Sequence, residues 1–259
     1  MLSDLSANSP VISIQHLYKA YEGQEAVKGL SFDVAGGHIL GLIGPNGAGK
    51  TTTMRALSAL IPATSGRLTV GGFDVQQQPV EVKRRLAYVP DDPQLFPHLT
   101  VAEHLAFTAA AYGVKDPEEL ANELLTSFAL DDKRHVVAKD LSRGMKQKLA
   151  ISCAYLFEPQ ALLLDEPLTG LDPLGIRNLK ESIRSRAAAG AAVIVSSHLL
   201  KMVEDLCTHI LLLESGEQQF FGTVDELKMQ FGGETSDDAS SLEQIFFKVT
   251  SREAEAVMS

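Results

Sequence analysis

The sequence predicts an α/β protein organised around a phosphate-binding loop, with a run of helices inserted in the middle of its core. Three observations predict it. An apolar run, Ile39 to Ile43, leads directly into Gly44-Pro45-Asn46-Gly47-Ala48-Gly49-Lys50-Thr51, and a helical pattern follows from Thr52 to Leu60. From Thr100 to Phe157 the periodicity is helical, with no convincing strand. Strand-like runs then return at Ala161 to Leu164, Ala192 to Ser196 and Ile210 to Leu213. Helices of roughly ten to fifteen residues separate them, which is the texture of parallel βαβ units.

Taken in order, Val11 to Leu17 and Ala26 to Val34 read as strands ahead of the loop. The glycines of the loop let backbone N–H groups turn inward as an anion nest, and the helix that follows adds the positive end of its dipole. In such a loop the lysine, Lys50, reaches the β- and γ-phosphates of a nucleotide, and the hydroxyl of Thr51 ligates Mg²⁺. The candidate binding set is therefore Gly44, Pro45, Asn46, Gly47, Ala48, Gly49, Lys50, Thr51 and Thr52. By itself the loop leaves kinases, GTPases, motor ATPases and transport ATPases open. Beyond it, Arg67 to Val70 is a strand ending in the turn Gly71-Gly72, and Leu86 to Val89 is another. Val101 to Tyr112, Glu118 to Phe128 and Arg143 to Phe157 are the helices of the insertion.

Leu162-Leu163-Leu164-Asp165-Glu166-Pro167 is an apolar strand ending in two acids. Buried strands do not end in unpaired carboxylates without a reason. Beside a phosphate loop the reason is phosphoryl chemistry: Asp165 as a metal ligand, Glu166 as the base that polarises the attacking water.

Composition narrows the partners. The chain has 259 residues, 45% of them hydrophobic, enough for a sizeable core. A net charge of −10 argues against a nucleic-acid partner, which needs clustered Lys and Arg. Cys153 and Cys207 both fall in apolar helical segments and read as buried free thiols of a reducing compartment. No stretch has the apolar length to span a bilayer, and Met1 to Pro10 lacks the basic and apolar regions of a signal peptide.

Leu141-Ser142-Arg143-Gly144-Met145-Lys146-Gln147 opens a helix shortly before the acid-tipped strand, with Ser142 placed to cap it. In order with the phosphate loop, Asp165-Glu166, Leu171-Asp172 and Ser196-Ser197-His198, it resembles the signature of the ATP-binding cassette (ABC) ATPases, from about Val11 to Phe231. That resemblance implies a P-loop NTPase core of ABC type with an antiparallel β subdomain and an inserted helical subdomain at about 91–157. The ATPase domain would be 1–233, with 234–259 a polar linker and C-terminal helical extension.

The resemblance also implies roles. Tyr21 matches the aromatic that stacks on adenine, His198 the histidine that contacts the γ-phosphate, and Asp172 the acid that communicates across a dimer. Asp91 stands where a metal-contacting glutamine is common, and Arg143 and Met145 stand where glycine and glutamine are common. Ser142 and Gly144 keep the phosphate-contacting positions of the signature. This Leu-Ser-Arg-Gly-Met pattern looks like that of the ATPase subunits of ABC-2-type exporters.

Such a chain is expected to bind and hydrolyse ATP with Mg²⁺ and to pair with a second cassette. It would work on a membrane-spanning permease, at the cytoplasmic face of the membrane. Phe96, Leu99 and Val101 are the expected apolar contacts to that permease, and Leu242 to Phe247 an expected terminal helix. The alternative is a cytosolic cassette ATPase that serves soluble partners as an assembly or scaffold factor.

Overall fold

The computed structural model describes residues 9–231 and 241–246. A hairpin, β1 (Ile12–Tyr21) and β2 (Gln24–Val34), precedes β3 (Ile39–Ile43) and α1 (Lys50–Leu57). Then come β4 (Ser65–Val70), β5 (Phe73–Asp74), α2 (Pro79–Lys83) and β6 (Leu86–Val89). The helical insertion holds α3 (Val101–Tyr112), α4 (Glu118–Ser127) and α5 (Arg143–Leu156). The chain returns through β7 (Ala161–Asp165), α6 (Pro173–Ala188), β8 (Ala192–Ser196), α7 (Leu200–Leu206), β9 (His209–Glu214), β10 (Glu217–Thr223) and α8 (Val224–Phe231).

Two sheets result. The core sheet has the order β10-β9-β3-β8-β7-β6, parallel from β9 to β6 and closed at one edge by the antiparallel β10. The other, β2-β1-β4-β5, is antiparallel throughout. Strands β3, β7 and β8 are buried at every position, as a parallel sheet covered on both faces requires.

Strand alternation divides the interior. Leu40, Leu42, Leu163, Ile194 and Leu211 face the antiparallel sheet and α1, in a core with Ile12, Ile14, Leu30 and Met54. Ile39, Ile43, Leu162, Leu164, Val193 and Val195 face the opposite way, into a core shared with the helices of the insertion and with α6, α7 and α8. Each fully buried leucine contributes about 1.5–3 kcal/mol relative to exposure. The insertion is a small bundle in which α3 and α4 both pack on α5. Its first helix starts at a reciprocal cap: Thr100 Oγ1 accepts from the Glu103 N–H while the Glu103 carboxylate accepts from the Thr100 N–H.

Several expectations shift. Helix α1 begins at Lys50 and stops at Leu57, because Gly49, at φ 100°, caps it and Ala59, at φ 53°, has left the helix. Tyr21 ends a strand at the hairpin tip and pairs with Gln24. Cys207 lies one residue past α7, where burial pushes its thiol up to about 12; both cysteines are free. Val101 is fully buried in the insertion's core, so it is packing and not a surface contact.

Residues 242–246 are helical, and Leu242 and Ile245 are buried in the same core as Leu206 and Leu227. Phe247, most of the expected linker and the rest of the expected C-terminal extension lie outside the described residues.

Gly41 faces α7 with no room for a side chain, since an added Cβ would stand 2.5 Å from Val203 Cγ1 and 3.0 Å from Cys207 Sγ. Gly41→Ala is expected to cost about 1–3 kcal/mol in chemical denaturation, by overpacking. Val203→Ala in the same chain should relieve part of that loss, seen as coupling in a double-mutant cycle.

Candidate functional site

The parallel register sets the site. Leu42 stands beside Ser196, Asp165 beside Ser196, and Val89 beside Leu164, so the C-terminal ends of β3, β8, β7 and β6 form one edge. Residues leaving that edge are the loop 44–49, the acids 165–166, Ser196 to His198, and Pro90-Asp91. Ligand chemistry gathers at such an edge because the helices that follow present their N-termini there.

In the loop, the Ala48 N–H donates to the Pro45 carbonyl at 3.2 Å and the Thr53 N–H to the Gly49 carbonyl at 2.9 Å, which joins the turn to α1 without a break. Gly49 at φ 100° is a conformation closed to ordinary side chains, and an added Cβ would meet the Ala26 carbonyl at 2.7 Å. Lys50 folds back, its ammonium donating to the carbonyls of Gly44 at 2.7 Å and Pro45 at 3.0 Å. Burial lowers its pKa, opposed by the nearby carboxylates of Glu166 and Asp165.

The acids are held from below. Asp165 is buried, with one carboxylate oxygen accepting from Ser196 Oγ and the other from the Tyr88 hydroxyl at 3.2 Å. Burial, then the Asp165 charge, raises the Tyr88 phenol to about 12, so it remains a donor. Ser196 Oγ also accepts from the Glu166 N–H at 3.0 Å. Glu166 sits at φ 47°, a left-handed backbone seen in non-glycine residues mostly under constraint, and its carboxylate meets His198 Nδ1 at 2.9 Å. Neither Ser196 nor Tyr88 stood out in the sequence as a holder of Asp165. The only signal was their place at the ends of strands neighbouring β7.

A cleft of about 400 Å³ lies over this edge, lined by Asn46 to Thr52, Asp165, Glu166 and, from the hairpin, Tyr21 and Gln24 to Ala26. Gly44 and Pro45 lie beneath it as acceptors for Lys50, and His198 adjoins it through Glu166. A larger cleft, about 510 Å³ and bounded by α4 and α6, holds none of the expected site residues.

Ser142, Gly144, Asp172 and Asp91 do not line the cleft. They are bound elsewhere. Ser142 Oγ caps α5 by accepting from the Met145 N–H, and Gly144 lies so close to the Gly170 carbonyl that an added Cβ would stand 2.5 Å from it. Asp172 pairs with Lys148 at 3.3 Å, whose ammonium holds its carboxyl below the usual range. Asp91 pairs with Arg143 at 2.8 Å.

The donor set is oxygen throughout: a hydroxyl at Thr51 and a carboxylate at Asp165. Hard divalent ions such as Mg²⁺, which keep waters and share ligands with a phosphate chain, suit so few protein ligands. Among the described residues, no three His, Cys, Asp or Glu side chains cluster as a metal cage of their own.

A phosphate nest at the carboxyl edge of a parallel sheet, with acids ending the neighbouring strand, defines a P-loop nucleotide-binding protein. The family described as ABC transporter matches residues 27–169. The ABC-type transporter ATP-binding protein EcsA of Bacillus subtilis is 35% identical, over 94% of this chain and 98% of its own length. The linearmycin resistance ATP-binding protein LnrL of the same organism is 35% identical over 87% of this chain and 73% of its length. A solved structure described as the ATP-binding subunit of an ABC transporter superposes with a TM-score of 0.88 at 34% identity, covering 93% of this chain and 99% of that one. The chain belongs to the ABC transporter family. It is an ATP-binding, ATP-hydrolysing subunit of such a transporter, and the reading as a soluble scaffold factor is not favoured.

Ser196→Ala strips a donor from a buried carboxylate and an acceptor from the Glu166 N–H together. It should lower unfolding free energy by about 1–3 kcal/mol and displace both acids, with reduced ATP turnover; Tyr88→Phe, which leaves the serine in place, should cost less on both measurements.

Proposed function

We propose that this chain is the energising ATPase of an exporter and acts as one of two cassettes set head to tail on a membrane-spanning partner. One observation carries the reading: Ser142 and Gly144 lie outside the cleft formed by the loop and acids of their own chain. A site made of both halves therefore needs a second cassette, with ATP held between them. Exposed leucines close in sequence to two of the expected site residues, Leu174 two positions after Asp172 and Leu199 directly after His198, give such a contact apolar surface.

The roles follow from position. Tyr21 stacks on the adenine from the hairpin tip, the loop N–H groups cradle the phosphates, and Lys50 leaves its two carbonyls for the β- and γ-phosphates. Thr51 and Asp165 would hold Mg²⁺, which when bound neutralises charge on the phosphate chain. Glu166 accepts the proton of the attacking water as its oxygen bonds to Pγ and the bond to the β-phosphate oxygen breaks, giving ADP and phosphate. His198 orients that carboxylate and the γ-phosphate. From the partner cassette, Ser142 and Gly144 meet the same phosphates, and Asp172 answers across the interface. Asp91 reaches the metal or its water only on leaving Arg143.

Export as the direction is supported by relatives named for daunorubicin resistance in Streptomyces coeruleorubidus and for SkfA peptide export in Bacillus subtilis. Among the described residues no helix is long and apolar enough to cross a membrane. In this reading the substrate path belongs to a separate permease, with this chain on its cytoplasmic face. The permease would dock on the surface between core and insertion, where Phe96 is exposed and stacks edge-on with exposed Phe107. Leu99, half-buried, adjoins it.

Glu166→Gln should keep ATP binding, lower steady-state turnover by about 10²–10⁴-fold and accumulate an ATP-bound dimer visible by light scattering. Unchanged turnover would remove Glu166 as the base. Tagged chain extracted from membranes in mild detergent should bring down a multi-spanning protein, and recovery of soluble partners alone would sink the transporter placement.

A further inference from the structure

Two of the residues at which this chain departs from the commoner cassette pattern are bonded to each other. Arg143 Nη2 donates to Asp91 Oδ1 at 2.8 Å, a contact between residues 52 apart in the chain. Asp91 stands where the chain leaves the core, two residues past β6, whose Tyr88 hydroxyl reaches Asp165 and whose Val89 pairs with Leu164. Arg143 belongs to the insertion, as the first residue of α5 between Ser142 and Gly144, and its side-chain stem lies along Gly170, 3.5 Å from where a Cβ there would stand. The pair is thus a clasp between the catalytic edge and the signature end of α5.

Its energetics suit a contact that opens. The two side chains are 54% and 48% exposed, so water screens the pair and its net worth is small. A cation in the first turn of a helix also lies at the wrong end of the dipole and gains from an anion beside it. Asp91 supplies that anion with one negative charge. A nucleotide triphosphate carries more charge and accepts guanidinium hydrogen bonds in bidentate fashion.

We propose that Arg143 is a phosphate-binding residue in trans, held by Asp91 until a partner cassette presents its ATP, and that closure exchanges one acceptor for the other. This rests on the head-to-tail reading above. Removing the two charges then has opposite consequences. Without the Asp91 carboxylate Arg143 is free and closure is easier; without the guanidinium both contacts are gone and closure is harder. A purely structural clasp would respond alike to either change.

The test uses the full chain with Glu166→Gln, following the ATP concentration that brings half of it into dimers by sedimentation. Adding Asp91→Asn, which removes the charge but keeps a side-chain oxygen for the metal or its water, should lower that concentration about two- to five-fold, the release of an exposed pair. Adding Arg143→Gln should raise it about ten-fold or more, the loss of charge-assisted bonds to phosphate. The triple variant should follow Arg143→Gln, and Arg143→Lys should recover part of the loss. Binding of a fluorescent ATP analogue to the monomer should not change with Arg143→Gln, because Arg143 does not line the cleft of its own chain. Shifts of the same sign for the two neutralised residues, or none for Arg143→Gln, overturn the exchange alone. A Glu166→Gln parent that forms no ATP-dependent dimer overturns the head-to-tail reading together with it.

Discussion

Parallel pairing of β3, β8, β7 and β6 buries these strands so that their polar business can be done only where they end. The loop leaves β3, the acids end β7, Ser196 ends β8 and Asp91 follows β6, all at one edge. The edge is polar because nothing further along the strands can be. Within it, Ser196 is the hub: its hydroxyl donates to Asp165 and accepts from the backbone of Glu166, so both acids are indexed to one atom of a neighbouring strand. The left-handed backbone at Glu166 is affordable under such constraint, and it turns the second carboxylate away from the first towards His198.

Much of this was legible in the chain, for reasons that differ by element. The strands of the parallel sheet announce themselves because burial on both faces leaves continuous apolar runs such as Leu162 to Leu164 and Ala192 to Val195. Strand β10 did not, because Glu217-Gln218-Gln219 opens an edge strand that pairs only with β9. Helix α7, seven residues long, is too short to show a period, and Cys207 falls past its end. The loop and the acid pair were visible because their residue types are costly without a ligand. The clasp of Arg143 on Asp91 and the grip of Ser196 on Asp165 were not, since contacts across 52 and 31 residues leave no local spacing to read.

The site also shows how charge is shared before any nucleotide enters. Lys50 is buried yet stays beside two carboxylates and satisfies its ammonium with two loop carbonyls. The loop is thereby held by its own lysine. Lys148 does the same service for Asp172, and Arg143 for Asp91. Each charged residue assigned to nucleotide or to a second cassette thus has a partner within the chain, which spares the acidic protein the cost of exposing unbalanced groups at one edge.

The contact of Gly144 with the Gly170 carbonyl has a different kind of consequence. It is main chain against main chain, formed without any side-chain tip that could rotate away. Even a methyl at position 144 would force the turn after Glu166 to move. A single main-chain contact thus joins the signature end of α5 to that turn, and the closeness of the joint depends on a side chain being absent.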